Sequence, residues 1–117
     1  MKKAAQNGII GELLAKEYLE KKNYQILHTN WRYKRSEIDI IASINNCIVF
    51  VEVKLRNNLA FGTPETFVTK NKIKKMQEAA DAYIEAYNWH GELRYDIISI
   101  EKNNQITHFE DAFYGND

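Results

Sequence analysis

Residues 36–56, SEIDIIASINNCIVFVEVKLR, can hardly be anything but a β-hairpin. Valine and isoleucine dominate two runs, Glu37–Ala42 and Cys47–Leu55, as suits a pleated sheet. The polar stretch Ser43-Ile44-Asn45-Asn46 separates them. Asn45-Asn46 reads as a two-residue turn, because Asn tolerates the positive φ angles such a turn needs, though less well than Asn-Gly does. On that register Ile38 faces Val53, Ile40 faces Val51 and Ala42 faces Val49, all on one apolar face.

The other face sets Asp39 opposite Glu52 and Glu37 opposite Lys54. Directly opposed residues have Cβ atoms about 4.5–5.5 Å apart, where like charges destabilise. A divalent cation is one reason for such a pair, since hard cations take carboxylate oxygens and Mg2+ typically combines one or two carboxylates with water and phosphate. Lys54, two residues after Glu52, points to the same face. Two acids and a lysine on one patch make a candidate metal-assisted phosphodiesterase site. The plainer alternative is a set of cross-strand ion pairs, Lys54 with Glu37 and Glu52, beside a solvated Asp39.

A chain of 117 residues is enough for one domain, 1–117, with its own core. The single cysteine, Cys47, excludes an intramolecular disulfide and a Cys-based zinc site. No apolar run approaches the roughly 18 residues of a transmembrane helix. The opening MKKAAQNGII has no apolar stretch with a cleavage signal, so a cytoplasmic location is expected. Net charge is zero, but residues 30–75 carry nine Lys and Arg against four Asp and Glu, and the remainder seven against twelve. The positive segment surrounds the hairpin. Such a local field attracts phosphates without a basic protein overall, although an ordinary mixed-charge surface gives the same count.

Residues 8–22 read as a helix with an apolar stripe of Ile10, Leu13, Leu14, Tyr18 and Leu19, capped by Asn7 and ended by Asn23. Gly8 and Gly11 allow close approach of a backbone or a ligand. Glu12 either pairs with Lys16 on the surface or belongs to a site. Tyr24–Tyr33 reads as an edge strand in which His28 is structural, and Arg32, Lys34 and Arg35 form a basic cluster before the hairpin. Arg56 opens a loop running to Pro64. Thr69 caps a second helix, from about Lys70 to Tyr87, with Ile73, Met76, Ala80, Tyr83, Ile84 and Tyr87 as its apolar face. Lys70, Lys72, Lys74 and Lys75 crowd its first turns, where cations oppose the helix dipole. Phosphate binding accounts for that cost; a solvated lysine face is the alternative. Arg94–Ile100 reads as a strand and Asn103-Asn104 as a turn, with Gln105–Phe109 as a short edge strand before an acidic tail, Glu110–Asp117. The order predicts an α/β fold, a mixed central sheet of four to five strands flanked by helices, with a crossover helix before the fourth strand.

Gly8-Ile9-Ile10-Gly11-Glu12, Ser36-Glu37-Ile38-Asp39, Val51-Glu52-Val53-Lys54, Phe61-Gly62 and Arg94-Tyr95-Asp96 together resemble the YraN-like uncharacterised protein family. By similarity that family belongs to the restriction-endonuclease-like superfamily, with its Asp…Glu-x-Lys core, and its pattern is similar to that of archaeal Holliday-junction resolvases. Ser36 stands where the family commonly has glycine. The resemblance implies an endonuclease acting on DNA, branched DNA included, and a homodimer by analogy. It implies that Asp39 and Glu52, with the Val53 carbonyl, would ligate Mg2+ or Mn2+. Lys54 would steady the attacking water, and Glu12 would complete the site from a helix. A nucleic-acid-binding module without turnover is the alternative on the same fold. Arg32, Lys34, Arg35, Arg56, Lys70, Lys72, Lys74 and Lys75 are the expected nucleic-acid contacts.

Overall fold

The computed structural model describes residues 2–56, 69–101 and 103–113, with residues 2–7 described as backbone alone. The expected loop at 57–64, with Phe61 and Gly62, and the tail residues 114–117 lie outside the described residues. Helix α1 (Lys2–Lys21) precedes strands β1 (Gln25–Tyr33), β2 (Ser36–Ile44) and β3 (Cys47–Arg56). Helix α2 (Lys70–Ala86) then leads to β4 (Glu92–Glu101) and β5 (Ile106–Phe109). The strands form one sheet in the order β1-β2-β3-β4-β5. Among the described residues only β3 and β4 are parallel neighbours, with α2 between them in the chain. This is the expected mixed sheet flanked by helices, with β1 on one edge and β5 on the other.

α1 starts earlier than expected, and Asn7 lies within it rather than capping it. Residues such as Lys3, Ala4, Ala5 and Gln6 are good helix formers and carry the helix back past Asn7. Its end is where the sequence puts it. Asn23 takes a φ of 73°, Tyr24 N–H donates to the Leu19 carbonyl and Asn23 N–H to the Glu20 carbonyl, a Schellman closure.

The apolar stripe of α1 differs from expectation. Ala15 and Leu19 are buried, while Ile10 and Leu13 are 53% and 52% exposed. α1 meets the sheet through small residues. A Cβ on Gly11 would lie 2.7 Å from Leu55 Cδ2, so glycine here lets the helix approach β3, whereas Gly8 faces open space. Close approach along Gly11 and Ala15 turns the neighbouring large side chains away.

Two cores cover the sheet. α1 packs on Ile40, Ala42, Val49, Val51, Ile98 and Ile100. α2 buries Met76, Ala79, Ala80 and Tyr83 against Ile38, Ile41, Ile48, Phe50 and Ile97. His28 is structural, its ring 5.3 Å from that of Tyr83, and Trp31 meets Tyr83 edge-on at the same distance. Tyr87, expected on the apolar face, is 53% exposed because α2 ends at Ala86.

The hairpin turn is formed by Asn45 at φ 48° and Asn46 at φ 63°, both left-handed as the two-residue turn requires. The register is the expected one: Ile40 pairs with Val51, Ala42 with Val49 and Ile44 with Cys47. Ile38 departs from it. It joins the α2 core while Ile40 stays in the α1 core. The cause lies in β1, where Thr29 pairs with Ile40 and Trp31 with Ile38, leaving Asn30 opposite Asp39. Asn30 has a φ of 51°. One left-handed residue breaks the two-residue alternation, and both strands change faces there.

Candidate metal and phosphate site

The break at Asn30 and Asp39 gathers the chemistry. The β2–β3 ladder stops at Ile40–Val51. Beyond it, Asp39 Oδ2 accepts the backbone N–H of Val53 at 2.8 Å, so a side chain bridges the diverging strands. Glu52 is 5% exposed and lies on the α2 side of β3, between the core residue Phe50 and Lys54. Lys54 Nζ stands 3.8 Å from Glu52 Oε2, and Lys72 Nζ, from the first turn of α2, stands 3.2 Å from the same oxygen. From α1, Glu12 faces this break: Asn30 Nδ2 donates to Glu12 Oε1 at 3.0 Å.

The electrostatics match the crowding. Burial pushes the Asp39 carboxyl up to about 7, and the Glu52 charge pushes the same way, with Glu12 adding a smaller share. The Val53 N–H and the Lys72 ammonium oppose the rise. Burial and the neighbouring acids thus favour the protonated Asp39 far more than in an ordinary aspartate, and a cation beside it would favour the ionised form.

Among the described residues no three His, Cys, Asp or Glu side chains converge to hold an ion. The set expected from the sequence is smaller: the Asp39 and Glu52 carboxylates, with the Val53 carbonyl as a third oxygen. Two carboxylates plus neutral oxygens and water are what Mg2+ or Mn2+ takes, and a dication would offset both the burial and the Glu52 charge that raise Asp39.

Glu37 does not join the site. It lies 3.7 Å from Arg32 Nη1 across β1–β2 instead of pairing with Lys54. The strands have parted before Glu37 is reached, and its nearest cation is on the edge strand. Lys34, at φ 57°, holds its ammonium 5.3 Å from the Tyr33 ring in the β1–β2 turn, with Arg35 exposed beside it. Arg56 ends β3, and Lys70, Lys74 and Lys75 are exposed on the first turns of α2. Antiparallel pairing and the crossover bring the β1–β2 turn, the end of β3 and the start of α2 to one end of the sheet. The expected basic residues thus rim the end that holds Asp39 and Glu52. Of the four lysines that open α2, Lys72 reaches Glu52.

Sequence reasoning missed Asn30, and the signal was there: an Asn between Thr29 and Trp31 in a strand is disfavoured as strand and tolerant of left-handed φ. It also missed a second polar cluster, on the α1 side of β4. Asp96 is fully buried. Arg94 grips it with two bonds, Nε to Oδ1 at 2.9 Å and Nη2 to Oδ2 at 2.8 Å, while Asp111 N–H donates to Oδ1 at 2.9 Å. His108 Nε2 lies 2.7 Å from Asp96 Oδ2 and its Nδ1 lies 3.0 Å from Tyr18 Oη. Arg94 also donates to Tyr24 Oη at 2.6 Å. Burial alone raises Asp96, yet the bonds from His108, Arg94 and Asp111 more than offset it and hold the carboxyl below the usual range. The cluster ties β5 and the end of α1 to β4.

These features define an α/β protein with an acid-and-lysine site at one end of a mixed sheet. The uncharacterised protein family UPF0102 matches residues 11–100, and the chain belongs to that family, the YraN family its motifs resemble. A UPF0102 protein of Cytophaga hutchinsonii is 44% identical over 107 residues, covering 92% of this chain and 95% of its own length. UPF0102 protein FP2501 of Flavobacterium psychrophilum is 46% identical over 110 residues, covering 92% of each chain. Among solved structures, Pyrococcus furiosus SfsA in complex with Ca2+ aligns over 92% of this chain and 63% of that longer one, at 13% identity and a TM-score of 0.36, too distant a likeness to fix a fold. Among the described residues no helix is long and apolar enough to cross a membrane.

Proposed function

We propose that this chain is a metal-dependent endonuclease that hydrolyses phosphodiester bonds of DNA, branched DNA among its substrates. The observation that carries the reading is the crowding of Asp39 and Glu52 at a break in the sheet, with two lysines on Glu52 and a basic rim around them. Asp39, Glu52 and the Val53 carbonyl would hold Mg2+ or Mn2+, which when bound supplies a water made more acidic and a positive centre for the phosphate oxygens. Ionising Asp39 for this role releases its proton to solvent. Lys54 orients the attacking water and offsets the charge growing on the phosphate. Glu12, held by Asn30, faces the site from α1 and would accept hydrogen bonds from water there. Arg32, Lys34, Arg35, Arg56, Lys70, Lys74 and Lys75 track the nucleic-acid backbone. A homodimer acting on symmetric junctions belongs to the same reading.

Nicking of plasmid and four-way-junction DNA with Mg2+ or Mn2+ tests it. Asp39→Asn and Lys54→Ala are each expected to lower cleavage by about a hundredfold or more with the fold intact by circular dichroism. Unchanged cleavage in both variants overturns the assignment. A second reading, a nucleic-acid-binding module without turnover, draws on the pairing of Glu52 with Lys54 and Lys72, which balances that charge without a metal. Binding without cleavage across a panel of single-stranded, duplex, flapped and branched substrates favours it.

A further inference from the structure

The four lysines at the start of α2 look interchangeable in the sequence, but one of them is built into the site. Thr69 caps α2, its Oγ1 accepting the Lys72 N–H at 3.1 Å, which fixes the backbone of the turn that carries Lys72. From there Lys72 Nζ reaches 3.2 Å from Glu52 Oε2, nearer than Lys54 at 3.8 Å. The Glu52 side chain is 6% exposed and that of Lys72 47%, so the lysine enters from the solvent side onto a buried acid. A cation in the first turn of a helix opposes the dipole, and a lysine serving only as a backbone contact for nucleic acid has no need to turn inward. Glu52 is thus met by two ammoniums from two elements, one along its own strand and one from the helix above.

In phosphodiesterases that use two metal ions, cations about 3.5–4 Å apart clamp the attacking and leaving oxygens. Here one carboxylate already has a positive charge from a second element at ion-pair distance. We propose that Lys72 is a resident second cation: the site loads a single divalent ion, and Lys72 holds the second cation's place, where it meets the phosphate oxygens of the substrate. This rests on the hydrolase reading for its substrate, but not for its charge balance. It separates Lys72 from Lys70, Lys74 and Lys75, whose ammoniums serve the rim.

Calorimetric titration of the full chain with Mn2+, paired with single-turnover nicking of plasmid DNA at saturating Mn2+, tests it. Wild type is expected to bind one ion. Lys72→Ala removes a competing charge, so it is expected to bind Mn2+ about two- to fivefold tighter, or to admit a second ion. Its cleavage is nevertheless expected to fall by roughly tenfold or more. Lys72→Arg, which keeps the charge, is expected to move both values back toward wild type. Lys22→Ala, whose ammonium lies over the Tyr18 ring, controls for loss of a lysine and is expected to change neither. Two ions in wild type, no Mn2+ binding, or an unchanged Mn2+ affinity in Lys72→Ala overturns the proposal. So does a variant that binds DNA more weakly but cuts normally at saturation, since that is the behaviour of a rim lysine. If wild type binds one Mn2+ with Lys72-dependent affinity and cuts nothing, the hydrolase reading fails and the charge role of Lys72 stands.

Discussion

The Asp39 carboxylate accepts the Val53 backbone N–H at 2.8 Å, so a side chain takes up a donor just past the last paired residues of the β2–β3 ladder. The bond fixes Asp39 next to Glu52 and makes the repulsion between them a property of the fold.

Metal-free protein should therefore lose stability as pH rises. Asp39 is held near 7 when folded against an ordinary value of 3.8, so the folded state binds the proton more tightly. Its contribution is fully present below the ordinary Asp range and is lost as pH climbs through about 7. Thermal melts in chelator at pH 5.5 and pH 8 should differ by about 4 °C or more, corresponding to roughly 1 kcal/mol for a domain of this size. Asp39→Asn keeps an acceptor for the Val53 N–H and should flatten the profile. Mn2+ should restore the wild-type melt at pH 8 and leave the variant unmoved.

Asn30 does two jobs that substitution separates. Asn30→Gly keeps the left-handed backbone and loses the bond to Glu12. It is expected to melt within a few degrees of wild type but to cut DNA about three- to tenfold more slowly. Asn30→Ala should in addition lose about 1–2 kcal/mol, because alanine disfavours that φ. Equal melts for the two variants would show that the backbone angle is not what Asn30 supplies.

The Asp96 cluster should be costly to break and blind to catalysis. Asp96→Ala takes the buried carboxylate from the half-buried Arg94 and from His108, and a loss of about 1–3 kcal/mol in urea unfolding is expected. Because the folded Asp96 sits below the usual range, its stabilisation is present above about pH 4 and disappears as acid protonates it at lower pH. Melts between pH 6 and pH 3 should show the protein weakening faster than an Asp96→Asn variant. A milder partner change, Tyr18→Phe, should leave cleavage rates intact.

The basic rim should act through salt. Lys34→Ala combined with Arg35→Ala is expected to weaken DNA binding on all sequences alike and to reduce the slope of log K against log salt by about 1.8 for duplex. Single-turnover cleavage at saturating protein should stay near wild type. A variant with normal binding but slowed cleavage would place these residues in the chemistry instead.

The turn and the register were legible because they are local. Asn45-Asn46 and the alternation from Ile40 to Val51 need no information from elsewhere, and the structure keeps both. Ile38 was not legible, because the face it takes depends on a left-handed Asn30 in the neighbouring strand. Lys72 looked like Lys74 and Lys75 because only the docking of α2 tells them apart. Ile10 and Leu13 misled because periodicity weighs size, whereas α1 approaches the sheet through Gly11 and Ala15. Asp96 read as one more residue of an alternating strand; Arg94 is two residues away, but His108 arrives only by way of β5.

The parallel crossover gives this site an order of assembly. β2 and β3 close over a two-residue turn, so Asp39 and Glu52 meet through contacts near in sequence. Lys72 arrives only once α2 has packed and β4 has paired, steps that close much longer loops and are correspondingly slow. During folding the acids and Lys54, which lies on the same hairpin, are therefore expected to be together before Lys72 arrives. A divalent ion present at that stage should speed maturation, while chelation should prolong an early state whose hairpin is formed and whose second helix is still undocked.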